Sequence, residues 1–356
     1  MREIFITVPS PHPTGPIKGA YALANALAEE RPVTLVTLKH GPGAGTVLDP
    51  RVQERSLADL GRGWRNRVHA YRAMLRDAGG KQHVASISMC LTADMVNCLS
   101  GSAAVTCASI RGNLLSNYRL DYGLPGVPVA VAHLTALRWA DHIVAITSSM
   151  AAQVRAYTGK TPTIIGNFVD EAALDPFRAS GPATGPYRLV FLASLTERKQ
   201  PLLAIQAVHE LRRLGFDVVL DVIGAGPLGS AVAAEATRLG IRDSITLHGH
   251  LTTPYAVLAN ADVMLLPSLS EGMPRAALEA LHLGVPCVLR AVDGNAELIT
   301  APEHGELFQH DRALADVVLT VAQRSRSLPR TRDSLLPPQF RQREQARRYL
   351  ALVEQE

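Results

Sequence analysis

The feature that most constrains this chain is an alternation that runs twice. Ile4-Phe5-Ile6-Thr7-Val8 is a short apolar run rich in β-branched residues, stopped by Pro9-Ser10-Pro11. Ile17, Tyr21, Ala24, Leu27 and Ala28 then fall at helical spacing, and residues 33–38 read as the next strand. Strand, helix, strand in that order needs a crossover, which makes the two strands parallel. Residues 84–88, 104–107 and 143–147 read as further strands of the same sheet. From Arg178 to Pro186 the chain turns to small residues, Gly and Pro, the mark of a linker. The alternation then restarts. Strands are expected at 189–193, 218–223, 245–247, 263–266 and 285–289, with helices at 202–214, 228–239 and 276–283 between them. A last helix, 340–353, follows Pro337-Pro338. The expected architecture is α/β, with two doubly wound, Rossmann-like domains facing a cleft and ligands held beyond the strand C-termini. The expected divisions are 1–178, 187–335 and a C-terminal helix over 336–356.

Composition narrows the class. At roughly 150 residues per domain, 356 residues make about two domains. With 47% hydrophobic and 19% charged residues the chain can bury sizeable cores, which excludes wholesale disorder. Cys90, Cys98, Cys107 and Cys287 show no C-x-x-C spacing, so buried free thiols are expected rather than a zinc site or a disulfide framework. The first apolar run is too short for a signal peptide, and no stretch approaches the roughly 18 apolar residues of a membrane span. The expected location is the cytoplasm, free or peripheral on the inner face of the membrane. The net charge of +4 is unevenly placed: residues 51–81 hold seven Arg and one Lys against Glu54, Asp59 and Asp77, a local excess of +5.

Three stretches of the second half carry chemistry. Gly224-Ala225-Gly226-Pro227-Leu228-Gly229 has the form G-x-G-x-x-G between a strand and a helix, but the next strand ends Leu247-His248-Gly249, without the acidic residue of a dinucleotide site. What remains is a glycine turn that lets a backbone approach a nucleotide. Pro267-Ser268-Leu269-Ser270-Glu271-Gly272-Met273-Pro274 leads into a helix carrying Glu279. A helix start at Pro274 turns the N–H groups of Gly272 and Met273 toward an anionic or hydroxyl-rich ligand; the plainer alternative is a capped helix with one solvated Glu. Ser194-Leu195-Thr196-Glu197-Arg198-Lys199-Gln200-Pro201 follows a strand end, and its adjacent cations suit a diphosphate. As a mere helix start they would oppose the helix dipole.

With these stretches in order, the second half resembles the donor-binding half of glycosyltransferase family 4, retaining enzymes of the GT-B fold. The resemblance is carried by residues 192–200, Ile223 to Pro227, Thr246 to Gly249, Ala261-Asp262-Val263 to Ser268, Glu271 to Pro274, Glu279-Ala280 and Gly284-Val285-Pro286, about 100 residues in register; Ile165 to Asp170 is similar to the family's segment before its linker. The resemblance implies roles by position. Glu271 holds donor sugar hydroxyls and Glu279 the ribose. Gly272 and Met273, before Pro274, offer N–H groups to sugar and phosphate. Lys199 lies on the diphosphate with Arg198 beside it. Ser194 stands where the family often has Arg, which leaves the weight on Lys199. Gly224 lines the glycine turn, and His250 and Leu251 frame the base. UDP is expected ahead of GDP.

The first half resembles the family only in pattern. Pro13-Thr14-Gly15-Pro16 is similar to its glycine loop beside the diphosphate, with one Gly where two are common. Arg111 and Asn113 follow a strand end and are candidates for acceptor contact, with a surface turn as the alternative. His12 and His133 receive no catalytic role. Trp64, Val68, Tyr71 and Leu75 recur at helical spacing among Arg62, Arg65, Arg67, Arg72 and Arg76. Residues 62–76 are therefore a candidate contact for an anionic membrane surface, against the alternative of a core-packed helix with solvated Arg.

The expected function is transfer of a sugar, hexosyl or N-acetylhexosaminyl, from a nucleotide diphosphate to an acceptor hydroxyl with retention, in bacterial cell-surface polysaccharide or glycoconjugate synthesis. The acceptor is a glycan or a lipid-linked glycan; nucleic acid is not an expected partner. No D-x-D occurs, so no metal and no other cofactor is expected, and cations and backbone N–H groups stabilise the leaving diphosphate. No dedicated general base is evident, and the family resemblance implies a front-side route in which the departing phosphate oxygen takes the acceptor proton. The alternatives are a nucleotide-sugar epimerase of the same architecture and a non-catalytic nucleotide- or anion-binding protein.

Overall fold

The computed structural model describes residues 2–12, 14–41, 43, 47–60, 63–178, 184–327 and 333–355. Pro13, Arg62 and linker residues 179–183 lie outside the described residues. Contacts divide the chain into two units, residues 1–169 with 338–356, and residues 170–337.

The first unit is built on seven parallel strands: β1 (Glu3–Val8), β2 (Val33–Thr37), β3 (Val52–Ser56), β4 (Val84–Met89), β5 (Val105–Ile110), β6 (His142–Ala145) and β7 (Thr163–Ile164). Their order is β3-β2-β1-β4-β5-β6-β7, so the winding reverses between β1 and β4. Successive strand residues face opposite sides. Ile4, Ile6 and Val8 pack with the Gly15–Leu27 and Gln342–Glu354 helices, while Phe5 packs on the other side with the Trp64–Asp77 helix. The C-terminal helix thus returns to the first unit. Tyr349 is fully buried there and shares a 2.7 Å hydroxyl contact with Ser109.

The Trp64–Asp77 helix corrects one expectation. Val68, Tyr71 and Leu75 are buried against Phe5, Val36 and Leu38, so this stripe is core and not a lipid-facing surface. Only Trp64 of the four stands exposed. Tyr71 carries a polar tip into that core: Thr7 donates to its hydroxyl at 2.7 Å, and Ser86 lies 2.5 Å from it. Arg72 spans to the carbonyls of Leu99 and Ser100, closing the end of the Leu91–Ser100 helix.

The second unit has six parallel strands: β8 (Tyr187–Leu192), β9 (Val218–Ile223), β10 (Ile245–Gly249), β11 (Val263–Leu266), β12 (Cys287–Arg290) and β13 (Gly305–Phe308). The order β10-β9-β8-β11-β12-β13 reverses between β8 and β11. In doubly wound sheets ligands bind beyond the strand C-termini at such a reversal. β12 begins two residues later than expected because Pro286 has no N–H to donate to a ladder.

Candidate functional site

The loops after β8 and β11 leave the second sheet on either side of its reversal, and they carry Ser194 to Lys199 and Ser268 to Pro274. They are tied together directly. The N–H of Leu269 donates to the Arg198 carbonyl at 2.8 Å, and the Arg198 guanidinium donates to the Ser270 carbonyl at 3.2 Å. Lys199 Nζ pairs with Glu271 Oε1. Glu271 and Glu279 are only 5% and 6% exposed, so the reading of a helix with a solvated Glu fails for both. A carboxylate so buried is tolerated only with partners. Lys199 serves Glu271, and Arg275 lies 4.0 Å from Glu279, one helical turn away. The Arg275–His282 helix starts from Pro274 without a side-chain cap, so its first-turn N–H groups depend on the turn or on a ligand. Gly272, Met273 and Pro274 are buried in that turn.

Asp293 was missed by the sequence reading. Its carboxylate accepts from the Glu271 N–H at 3.1 Å and from the Ser270 hydroxyl at 3.0 Å, while Gly294 N–H donates to the Gly272 carbonyl at 3.1 Å. Asp293 holds φ +42°, and Gln200, the residue after Lys199, holds φ +53°. Left-handed backbone at non-glycine residues is uncommon and gathers where surroundings over-determine a site. The sequence signal was weak: an Asp-Gly pair beyond a strand reads as an ordinary turn.

The glycine turn packs closely on the loop that follows β8. A Cβ on Gly224, at φ +148°, would collide with the Ala193 carbonyl, and one on Gly226 with that of Leu195. Leu195 N–H donates to Ala225 and its carbonyl accepts from Leu228, both at 3.0 Å. The close approach is therefore backbone on backbone, and it braces the loop that carries Arg198 and Lys199. The two loops also wall an apolar pocket of about 230 Å³, lined by Leu195, Val222, Gly224, Ala225, Leu247 and Gly249 among others. His250 and Leu251 follow directly from Gly249, with His250 exposed and Leu251 half-buried, and Ser194 is exposed at the β8 end. Across β9 and β10, His248 in an irregular step of β10 meets Asp221 at 2.6 Å. Burial first and the Glu279 charge second push the Tyr255 hydroxyl above its ordinary value.

In the first unit Gly15 opens the Gly15–Leu27 helix just beyond β1 and is exposed. Arg111, after β5, donates to Asn167 at 3.1 Å, Met89 Sδ at 3.1 Å and the Tyr349 hydroxyl at 3.3 Å. Asn113 caps the Leu114–Tyr122 helix through Ser116 N–H and accepts from Gln153 at 2.7 Å. Both expected acceptor contacts thus hold bonds within the unit. His133 is buried between Asp94, 2.9 Å from Nε2, and Tyr118, 3.1 Å from Nδ1. Among the described residues no three His, Cys, Asp or Glu side chains gather as a metal site.

Residues 186–324 match the model of the family described as glycosyl transferases group 1. The chain is 31% identical over 165 residues to a putative colanic acid biosynthesis glycosyltransferase, WcaL, of Escherichia coli K12, a stretch that is 44% of this chain and 40% of that relative's length. Among solved structures, sucrose-phosphate synthase from Thermosynechococcus elongatus superposes with TM-score 0.77 over 99% of this chain and 98% of its own, at 15% identity. HepE of Anabaena in complex with UDP and glucose superposes with TM-score 0.76 over 99% of each chain, at 15% identity. The chain has the GT-B fold seen in these glycosyltransferase structures, and the match to the glycosyl transferases group 1 model spans residues 186–324 of it.

Proposed function

We propose that the chain is a retaining glycosyltransferase that moves a sugar, hexosyl or N-acetylhexosaminyl, from a nucleotide diphosphate to the hydroxyl of a glycan or lipid-linked acceptor. The observation that carries this reading is the buried Lys199–Glu271 pair at the reversal of the second sheet, inside the family match. A cation and a carboxylate held side by side suit the two halves of a nucleotide sugar. Lys199 and Arg198 meet the diphosphate, while Glu271 accepts hydrogen bonds from sugar hydroxyls. Glu279 takes the ribose hydroxyls, and Gly272 and Met273 lend backbone N–H groups ahead of the helix start at Pro274. The apolar pocket beside Leu247 and Gly249 receives the base, with His250 and Leu251 at its rim. HepE's complex with UDP and glucose supports UDP over GDP, and WcaL's colanic acid assignment supports cell-surface polysaccharide synthesis.

In the step, the bond from the anomeric carbon to the leaving phosphate oxygen breaks and a bond to the acceptor oxygen forms on the same face. The acceptor proton passes to the departing phosphate. Lys199, Arg198 and the helix N–H groups stabilise the charge that develops there, so activity is expected to survive EDTA. The test is a thermal-shift screen of UDP, GDP and their sugars, followed by transfer and determination of the product's anomeric configuration. Stabilisation by a nucleotide sugar with a retained product is expected. Donor turnover into an epimer without acceptor, an inverted product, or no response to any nucleotide overturns the reading.

A further inference from the structure

We propose that Asp221 and His248 are a positioning pair for the nucleobase: their hydrogen bond fixes the irregular step of β10 from which the rim of the base pocket leaves the sheet. The inference rests on the nucleotide-sugar reading above and adds two residues that the reading does not use.

Both residues break the pattern of their strands. β9, VVLDVI, is apolar except for Asp221, and Asp is depleted in strands. In the pairing of β10 with β9, Thr246 stands opposite Asp221 and Leu247 opposite Val222, but the next partner, Ile223, is met by Gly249. His248 is therefore an extra residue in the ladder. Such a bulge bends its strand and leaves the extra residue without a ladder partner, and bulges recur beside functional sites. β10 is also the edge of the sheet, so no second strand holds the bulge. A side chain does so instead: His248 Nε2 donates to Asp221 Oδ1 at 2.6 Å, with the two side chains 24% and 18% exposed. Sequences depart from local preference mainly at functional or strained sites, and here two departures satisfy one another.

The bulge positions the wall of the apolar pocket. Val222 and Leu247, a facing pair, line it, and successive strand residues turn to opposite sides. Asp221 and its partner His248 thus lie on the reverse of the sheet and act through the backbone. Directly after the bulge, Gly249 lines the pocket, holds φ +66° and accepts from the Gly224 N–H at 2.8 Å. A change of one residue in strand register turns every following side chain to the other face. The bulge therefore decides how residues 249–251 leave β10, while Lys199 and Glu271 stand on other loops, after β8 and β11.

UDP and inorganic pyrophosphate share the charged part of the ligand, and only UDP has a base, so titrating the full chain with each separates a role at the base from a general one. Asp221→Ala and His248→Ala should each weaken UDP about tenfold and leave pyrophosphate within about threefold. The double variant should be no worse than either single one, since both break the same bond. His248→Gln, whose side-chain amide can donate to Asp221, should hold UDP within about threefold of wild type, with circular dichroism and thermal midpoint unchanged. Equal losses for UDP and pyrophosphate overturn the proposal, because they mean that the Lys199 loop is loosened through the glycine turn. Unchanged UDP affinity overturns it too and leaves the pair as a device that blunts an edge strand. Losses that add in the double variant show that the two residues are not a unit. A wild type that binds UDP no more tightly than pyrophosphate has no base contact to position, which sinks this inference alone. A wild type that binds neither removes the nucleotide-sugar reading and this inference with it.

Discussion

Lys199 and Glu271 are each costly to remove alone, because both side chains are largely buried in the same contact. Taking away the lysine leaves a buried carboxylate unpaired, a loss of about 3 kcal/mol or more in comparable pairs. A fall in transfer for Lys199→Ala, expected to be about a hundredfold or greater, therefore mixes chemistry with stability. A double-mutant cycle separates them: Lys199→Met, Glu271→Gln and the double variant should show a coupling of about 1–3 kcal/mol in unfolding. Additive losses would mean that the pair is not a unit. Glu279→Ala should weaken free UDP by about 1–3 kcal/mol, whereas Glu271→Gln should leave free UDP bound and lose transfer. Equal effects on free nucleotide would contradict that division. Asp293 fixes the Glu271 backbone. Asp293→Ala should lower kcat at least tenfold with UDP affinity nearly unchanged, since only the sugar-side carboxylate is misplaced. A matching loss of UDP affinity would show general collapse of the loop instead.

At the scale of elements, the loops after β8, β9 and β11 behave as one braced piece, and glycine is what allows it. Gly224→Ala forces a side-chain carbon onto the Ala193 carbonyl at a backbone angle only glycine accepts comfortably. Unfolding free energy should drop by about 3 kcal/mol, above the roughly 1 kcal/mol of an ordinary Gly–Ala difference. Gly229→Ala, whose added carbon would meet only Leu195 Cδ1 at 3.7 Å, is the control and should be nearly neutral. Similar midpoints for both variants would remove the bracing role. The elements themselves were largely legible. β9 (Val218–Ile223) and β11 (Val263–Leu266) stand where the apolar runs placed them, because buried parallel strands read as continuous hydrophobic stretches. β3 was not legible: VQERS is an edge strand with four exposed residues, and its pairing with β2 leaves no hydrophobic pattern. The Trp64 stripe was legible as a helix but not in its direction, because Val68, Tyr71 and Leu75 carry the same spacing whether they face lipid or a sheet. Lys199 and Glu271 were recognisable separately, but a 72-residue separation gives no local sign that they are partners.

For the whole molecule the two crossings between units matter most, after Val169 and after Pro337. Each unit anchors both crossing segments through one side chain. In the first, Arg111 reaches Asn167 on the outgoing segment and Tyr349 on the returning helix. In the second, His282 at the end of the Arg275–His282 helix meets Asp175 at 2.9 Å and Arg178 at 3.2 Å on the outgoing segment, and Ser334 at 3.3 Å on the returning one. Because that helix also carries Glu279, the anchor and the candidate site share one rigid element. His282 is held below the ordinary imidazole value of 6.5, by burial first, with Asp175 opposing and the Arg178 charge adding to the depression. Between the depressed value and 6.5 the unfolded chain binds more protons at this position than the folded one, so stability rises with pH through that window. The contribution is fully present above the ordinary value and is lost as acidification carries the protein down through the folded one. Denaturant midpoints measured at about pH 7.5 and about pH 5.5 should therefore fall further for the wild type than for His282→Asn, which cannot take up the proton. His142, also depressed by burial, contributes in the same direction to both proteins and cancels in the comparison. Parallel losses in the two proteins would show that His282 does not titrate within that window, and that its place between the crossing segments is one of packing alone.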